Sequence, residues 1–465
     1  MAFAVFRSFL CAIALPAAFA SNATPIVAEP LPDLRISGFH FPESEATLTG
    51  WISTMSRGPV ADAAAATEKI QLHGWGLWTA LTAETNQLVG GQRLRVFETW
   101  LTPDDLTSAS PARERAALRQ VVQLRTRAEE IERPELLADD QPSARVLGFT
   151  KFDPTAAGHV ASQELLNLTS LNTLLQGGAQ GIPPFPAASL AVKPLFQVIT
   201  AASLVEGRYY ALKVWPGPPD TPRAWGPTQW PGCVWLDLLG GGNGRGAMDE
   251  ATATDGSTRT DDTTYPLADI IHYRLSAADA IAVNAEKPGT NAAAGDTAIM
   301  VAMHVSSRET ARWTWQTFWW SPTPEDPHAP SSPAIAAQRP AQLRGAARNY
   351  AMALAYTMLA PDQPYVGGEN SGAAVYAYNP WIEARFTPAD LPDSLSGAAP
   401  DGRPAANNYG VQSNCMSCHA RATYNPQKLT TAPRFSGARY VDLIDPQFVG
   451  TLQVDFLWSV ARHAK

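Results

Sequence analysis

The chain has little charge. Asp, Glu, Lys and Arg make up 17% of its 465 residues, the net charge is −8, and no basic cluster occurs. That balance gives no support for nucleic-acid binding, and none is expected. Beyond the first 20 residues there is no run of 18 apolar residues, so no transmembrane segment is expected. Cysteine is scarce, with four in all. The glycine run Gly240-Gly241-Gly242-Asn243-Gly244 lacks a Gly-Lys-Ser/Thr ending. It is no phosphate loop and reads as a mobile surface loop. Proline, by contrast, is plentiful at 39 residues, and 45% of the chain is apolar. That balance favours a loop-rich, strand-containing globular protein over a helical bundle.

Two of the four cysteines stand in one short motif, Cys415-Met416-Ser417-Cys418-His419. Two cysteines three apart and an adjoining histidine form the attachment pattern of a c-type haem. Each thiol adds across one vinyl group, and both vinyls lie on one edge of the ring. The next residue then brings an imidazole under the iron as proximal ligand. Composition alone gives about 6 × 10⁻⁴ chance matches in a chain of this length. The expected cofactor is one covalent haem c, held by Cys415 and Cys418, with His419 on the iron.

The N-terminus is consistent with this. Met1 to Ala20 has a single positive charge at Arg7, an apolar run from Phe9 to Ala14, a break at Pro16 and an Ala18-Phe19-Ala20 end. These are the three regions of a secretory signal, cleaved after Ala20. Covalent haem attachment follows export in bacteria, so a periplasmic location is expected. Cys11 would leave with the signal. Cys233 is then the one remaining thiol, with no internal disulfide partner, and its apolar surroundings predict a buried, inert side chain.

About 445 residues would remain, enough for two to three ordinary domains. The pattern predicts an α+β chain: a signal over 1–20, a mixed α/β region over 21–180, and a β-rich region over 181–465 that carries the haem segment. The β-rich part is expected to be an antiparallel sheet or sandwich. Residues 21 to about 45 read as a Pro-rich tether and Leu94–Leu101 as a strand. A helix is predicted from Ser110 to Pro134, and another from Asp153 to Gly177. Strands are predicted at Ser189–Ile199, Tyr209–Trp215, Cys233–Leu239, Ile270–Leu275, Ala298–Ser306 and Trp313–Trp320. Arg344–Leu359 reads as helical. The tail from Asp445 to Trp458 is too apolar for a free end, and it is expected to pack on the body, against the haem edge.

The second axial ligand is not evident. Only 46 residues follow His419; none is methionine, and His463 sits near the terminus. Any distal ligand would come from upstream. Met300 and His304 are the candidates, on one face of the Ala298–Ser306 strand by period-two alternation, with Met303 opposite. Met352 and Met358 are further candidates on the preceding helix. Trp313, Trp315 and Trp319 share one face of their strand, with Phe318 and Trp320 on the other, and one of these faces is placed to wall a haem or to fill a core. Glu383, Arg385 and Asp401 precede the motif along the chain.

A haem motif near the C-terminus of a β-rich region resembles the cytochrome c-prime-beta group and its lysine-crosslinked, hydroxylamine-oxidising relatives. Phe185-Pro186-Ala187-Ala188-Ser189-Leu190-Ala191-Val192-Lys193 is similar to that group's Phe-Pro…Val-Lys strand, and Ile299–Val305, Trp313–Trp320 and Cys415 follow in order. The resemblance spans at most residues 183–425. This chain departs from the group in its longer spacing, its extra N-terminal residues and its tail. The resemblance implies a distal face open to small ligands and sets Lys193 where the crosslinking lysine would be.

Two functions are expected to compete. One is a periplasmic monohaem cytochrome that transfers electrons to a redox partner protein. The other is a haem c oxidoreductase or small-ligand binder with an open distal site. A zinc or dithiol site is disfavoured, because a lone Cys-x-x-Cys-His lacks a second ligand pair.

Overall fold

A computed structural model describes residues 26–107, 146–246, 248–250, 256–391, 408–427 and 436–465. The predicted signal, the Ser110–Pro134 helix, Cys11 and Asp401 lie outside them. The protein is mixed α+β, with mainly antiparallel sheets and a strand-rich C-terminal half.

In chain order, α1 (Glu45–Arg57) and α2 (Val60–Leu81) precede a hairpin of β1 (Glu84–Val89) and β2 (Gln92–Arg95). After α3 (Pro103–Thr107) come β3 (Val146–Gly148), β4 (Lys151–Phe152), α4 (Pro154–Ser162) and α5 (Leu168–Gln176). The strand-rich stretch holds β5 (Leu190–Ile199), β6 (Tyr209–Lys213), β7 (Gly232–Asp237), β8 (Asp249–Glu250), β9 (Thr264–Pro266) and β10 (His272–Arg274). It continues through α6 (Ala277–Glu286), β11 (Thr297–Ser307), β12 (Thr314–Trp320), α7 (Pro333–Ala337) and β13 (Tyr350–Ala355). Last come β14 (Leu359–Ala360), β15 (Ala373–Ala374), α8 (Cys415–His419), β16 (Thr423–Tyr424), β17 (Leu452–Gln453) and α9 (Trp458–His463).

A seven-stranded sheet organises the molecule, in the order β13-β12-β11-β5-β3, with β10 pairing to β11 and β4 to β5. Its central strands are rich in β-branched and aromatic residues and buried along almost their whole length. Such strands need cover on both faces. On one face α2 lays Trp78 over Phe318, rings 4.2 Å apart and nearly parallel, with Tyr350 beside them at 5.0 Å. Gly74 permits this approach: a Cβ there would stand 2.7 Å from the Leu354 side chain and 2.9 Å from the Met352 sulfur, both on β13. The other face carries the cleft described below. A smaller sheet pairs β6, β7 and β8, with β9 added parallel to β7. The Gly240–Gly244 run is laced to it, Gly241 N–H donating to Asp237 and Gly244 N–H to Thr264 O.

Several expectations need correction. Arg344–Leu359 is not a helix: Gly345–Asn349 makes a 3₁₀ turn, and Tyr350–Ala355 pairs with β12. Pairing to an aromatic edge overrode local propensity. Leu94–Leu101 is strand only to Arg95, then a 3₁₀ turn over Val96–Thr99. The long helix from Asp153 is two. Asp153 caps the first, accepting from Thr155 and Ala156 N–H, and Asn167 caps the second. Between them Glu164 takes a positive φ of 50°. The 26–45 stretch is no tether, since Ile26 and Ile36 are buried and Trp100 donates to the Glu29 carbonyl. The last residues are docked: His463 is buried and Lys465 exchanges main-chain hydrogen bonds with Leu166 and Leu168. Cys233 is buried, as expected. The tail packs inward through Leu452, Val454, Phe456 and Leu457, although Val449 stays exposed.

Candidate functional site

Asn414 starts the site. Its side-chain oxygen caps α8 by accepting from Ser417 N–H at 3.1 Å, the usual reason for Asn at this position. Its amide nitrogen donates to the Thr357 and Val375 carbonyls, at 3.1 and 2.8 Å. The short helix is thereby tied to the segment after β13. One helical turn places residues i, i+3 and i+4 together. Cys415, Cys418 and His419 accordingly line a single cleft of about 910 Å³, counted to its open mouth.

Both thiols are protonated donors, Cys415 Sγ to Ala377 O at 3.1 Å and Cys418 Sγ to Ser436 O at 2.9 Å. Burial pushes the Cys415 thiol well up, helped by the Glu383 charge, and pushes Cys418 up to about 12. Neutral thiols of this kind are poor dithiol nucleophiles. Among the described residues no group of three or more His, Cys, Asp or Glu is gathered to hold a metal ion.

His419 donates from Nδ1 to the carbonyl oxygen of Phe456 at 2.8 Å. The donor assignment follows from the acceptor, since a carbonyl cannot donate. Nε2 is thereby the lone-pair nitrogen, and among the described residues it has no protein partner. Desolvation pushes the imidazole down to about 3, partly offset by the Phe456 bond, so the ring is neutral and fit to ligate. Trp315 packs on the ring with centroids 4.0 Å apart.

The sheet supplies one wall. Lys193 of β5 is the register partner of His304 on β11, and Ala191 of Ser306. These residues line the cleft with Trp315 of β12. The segment after Tyr378 closes another side with Ile382, Glu383 and Phe386. Gly410 lets the approach to the motif pass close to it, because a Cβ there would lie 1.5 Å from the Glu383 carbonyl oxygen. Leu457, Trp458 and Arg462 come from the tail.

Within this wall His304 Nε2 lies 3.2 Å from Glu383 Oε1. Burial alone would raise the Glu383 carboxyl. The charge and hydrogen bond of His304 and the Asn379 N–H outweigh it and hold the group below its ordinary value.

Of the two distal candidates, His304 lines the cleft and Met300 does not. Met300 is wholly buried in the larger core. A β-bulge between Met300 and Ala302 interrupts the alternation on which their shared face depended. Met352 sits on β13, not on a helix, and is buried; Met358 is buried and its sulfur accepts from Val441 N–H. Of the acidic and basic residues before the motif, Glu383 reaches the cleft and Arg385 is not among its lining residues. Arg462 and Thr150 were not anticipated; no local pattern marks them, since the fold brings them in from 43 and 269 residues away from His419.

Comparison with family models, with curated proteins and with solved structures found no match for this chain. Among the described residues no helix is long and apolar enough to cross a membrane.

Proposed function

We propose that this chain is an exported monohaem c-type cytochrome that exchanges electrons with a redox partner through one covalent haem. The observation that carries the reading is the convergence of both Cys-x-x-Cys-His thiols and a neutral imidazole in one cleft, the imidazole oriented through Nδ1 with Nε2 left as the lone-pair nitrogen. The donor set suits the group. Cys415 and Cys418 would hold it by thioether bonds, and His419 would take the iron. Trp315, Phe386, Leu457 and Trp458 are apolar walls for a flat macrocycle, and Lys193 and Arg462 are cations for its carboxylates. When bound, the haem supplies a one-electron couple at the iron. The protein's part is to orient His419 and keep water from the ring.

The test is a haem stain on a denaturing gel of protein matured in a periplasm. Stain on the wild type, lost when Cys415 and Cys418 are both changed to Ala, is the expected result. Unstained wild type, or stain that survives the double change, would sink the proposal.

A second reading, a haem c oxidoreductase or small-ligand binder with an open distal site, is favoured by one observation. The only methionine or histidine of the candidate distal set that reaches the cleft is His304, and its Nε2 is paired to Glu383. The resemblance to the cytochrome c-prime-beta group points the same way.

A further inference from the structure

His304 and Glu383 are two titratable groups in the cleft wall that face each other. Their side chains are 18% and 16% exposed, sheltered but in reach of the cleft. Glu383 is itself anchored. Its Oε2 accepts from Asn379 N–H at 2.6 Å. Asn379 is buried, and its side-chain nitrogen donates to Thr317 Oγ1 at 2.7 Å and to the Phe318 carbonyl at 3.0 Å. Thr317 is the register partner of His304 across β11 and β12. The four residues form a closed frame: imidazole, carboxylate, amide and hydroxyl, returning to the imidazole through the sheet ladder. A frame fixed to two central strands holds a ring more tightly than a lone surface pair, whose partners are free to rotate apart.

The consequence concerns which nitrogen is left. Imidazole commonly meets a metal through the nitrogen that its partner does not hold. For His419 the held nitrogen is Nδ1, and Nε2 is left. For His304 the held nitrogen is Nε2, at the far end of the ring, and the one left is Nδ1, which sits beside its own Cβ and strand backbone and is the more hindered of the two. The geometry points to Glu383 as a positioning residue that keeps His304 as a hydrogen-bonding group of the cleft wall, so that it would not ligate the iron of a haem held there. A haem held by Cys415, Cys418 and His419 would then be open to a small ligand with a polar end, of the diatomic class. This inference rests on the covalent-haem reading and deepens its open-site form.

The experiment uses the full-length haem-loaded protein, with carbon monoxide as probe and visible and infrared spectra as readouts. The wild type is expected to give broad high-spin bands that shift with carbon monoxide. Glu383→Ala releases His304, and sharp low-spin bands with a diminished carbon monoxide shift should appear. Glu383→Gln, which keeps an acceptor for Asn379 N–H, should lie between the two. Adding His304→Ala to Glu383→Ala should restore the open-site spectrum. His304→Ala alone should keep the high-spin bands and move the carbon monoxide stretch by several wavenumbers, a result that does not depend on the folding of any Glu383 variant. A wild type already low-spin and opened only by His304→Ala would overturn the inference, because His304 would then be the ligand itself. A folded Glu383→Ala with an unchanged spectrum would also overturn it. Wild type without covalent haem would overturn the haem reading and this inference with it, and the denaturing-gel stain tells that failure from the other two.

Discussion

The imidazole of His419 is oriented by a carbonyl 37 residues further on, that of Phe456, through a 2.8 Å hydrogen bond. That carbonyl sits on a turn in which two consecutive non-glycine residues, Asp455 and Phe456, have positive φ of 45° and 67°. Such conformations cost about 1–3 kcal/mol each and persist only where surrounding contacts impose them. Here the contacts are made by the Asp455 carboxylate, which accepts from Phe185 N–H at 2.9 Å and from Arg308 Nε at 3.1 Å. The strained turn thus lies at the residue that aims the candidate proximal ligand.

Asp455→Ala should therefore do two things. It should lower stability by about 1–3 kcal/mol, the cost of leaving a sheltered donor without its acceptor, read from the urea midpoint. If the chain carries the proposed haem, it should also broaden that haem's spectrum by loosening the His419 ring. A stability loss with an unaltered spectrum would show that the turn does not steer His419.

The opposite face of the sheet depends on aromatic stacking. Trp78 is fully buried against Phe318 and Tyr350, and its indole N–H donates to the Ala347 carbonyl at 2.9 Å. Trp78→Ala should cost about 3–5 kcal/mol, measured by denaturant unfolding. A loss under 1 kcal/mol would mean that α2 contributes little to holding the sheet.

Cys233 offers a pH test away from the cleft. Burial first, and then the Asp249 charge, push its thiol from an ordinary 9.0 up to about 11, against an opposing effect of Lys213. Between these values the unfolded chain loses a proton that the folded chain keeps, so this group's contribution to stability falls as pH rises from about 9 to 11. Stability of the wild type should decline more steeply across that window than stability of Cys233→Ala. Equal slopes would remove the thiol as the cause. The same burial predicts slow alkylation of Cys233 in the native state.

The buried pair of His73 and Glu309 gives a further stability prediction. His73 Nε2 lies 3.1 Å from Glu309 Oε1, and His73 Nδ1 lies 2.6 Å from Tyr356 Oη. The Glu309 side chain also accepts from Glu43 N–H and Ser307 Oγ. Glu309→Ala would strand several of these buried partners, and a loss of about 3–5 kcal/mol is expected, read from the thermal or urea midpoint. A near-neutral result would mean that the network relaxes around the gap.

Some of this was legible along the chain. Cys415, Cys418 and His419 are near neighbours in the chain, and one helical turn gathers them with little help from the rest of the fold. The central strands of the main sheet declared themselves through β-branched and aromatic runs, and the start of a helix at Asp153 through its place before Pro154. Local patterns of this kind depend on residues a few positions apart. Tyr350–Ala355 did not declare itself, because an Ala-rich run has the composition of a helix and only the exposed edge of β12 makes it a strand.

What the sequence by itself determined is the α+β composition and one five-residue motif whose spacing lets a single helical turn gather Cys415, Cys418 and His419. What only the tertiary structure decided is which residues share a cleft with that motif. A single bulge in β11 takes Met300 out of register and leaves His304 in the wall. Strand register sets Lys193 beside His304, and the segment after Tyr378 brings in Glu383 from 36 residues before His419. The strained Asp455–Phe456 turn aims the imidazole. Each of these placements depends on contacts between residues far apart in the chain, and no local periodicity encodes them.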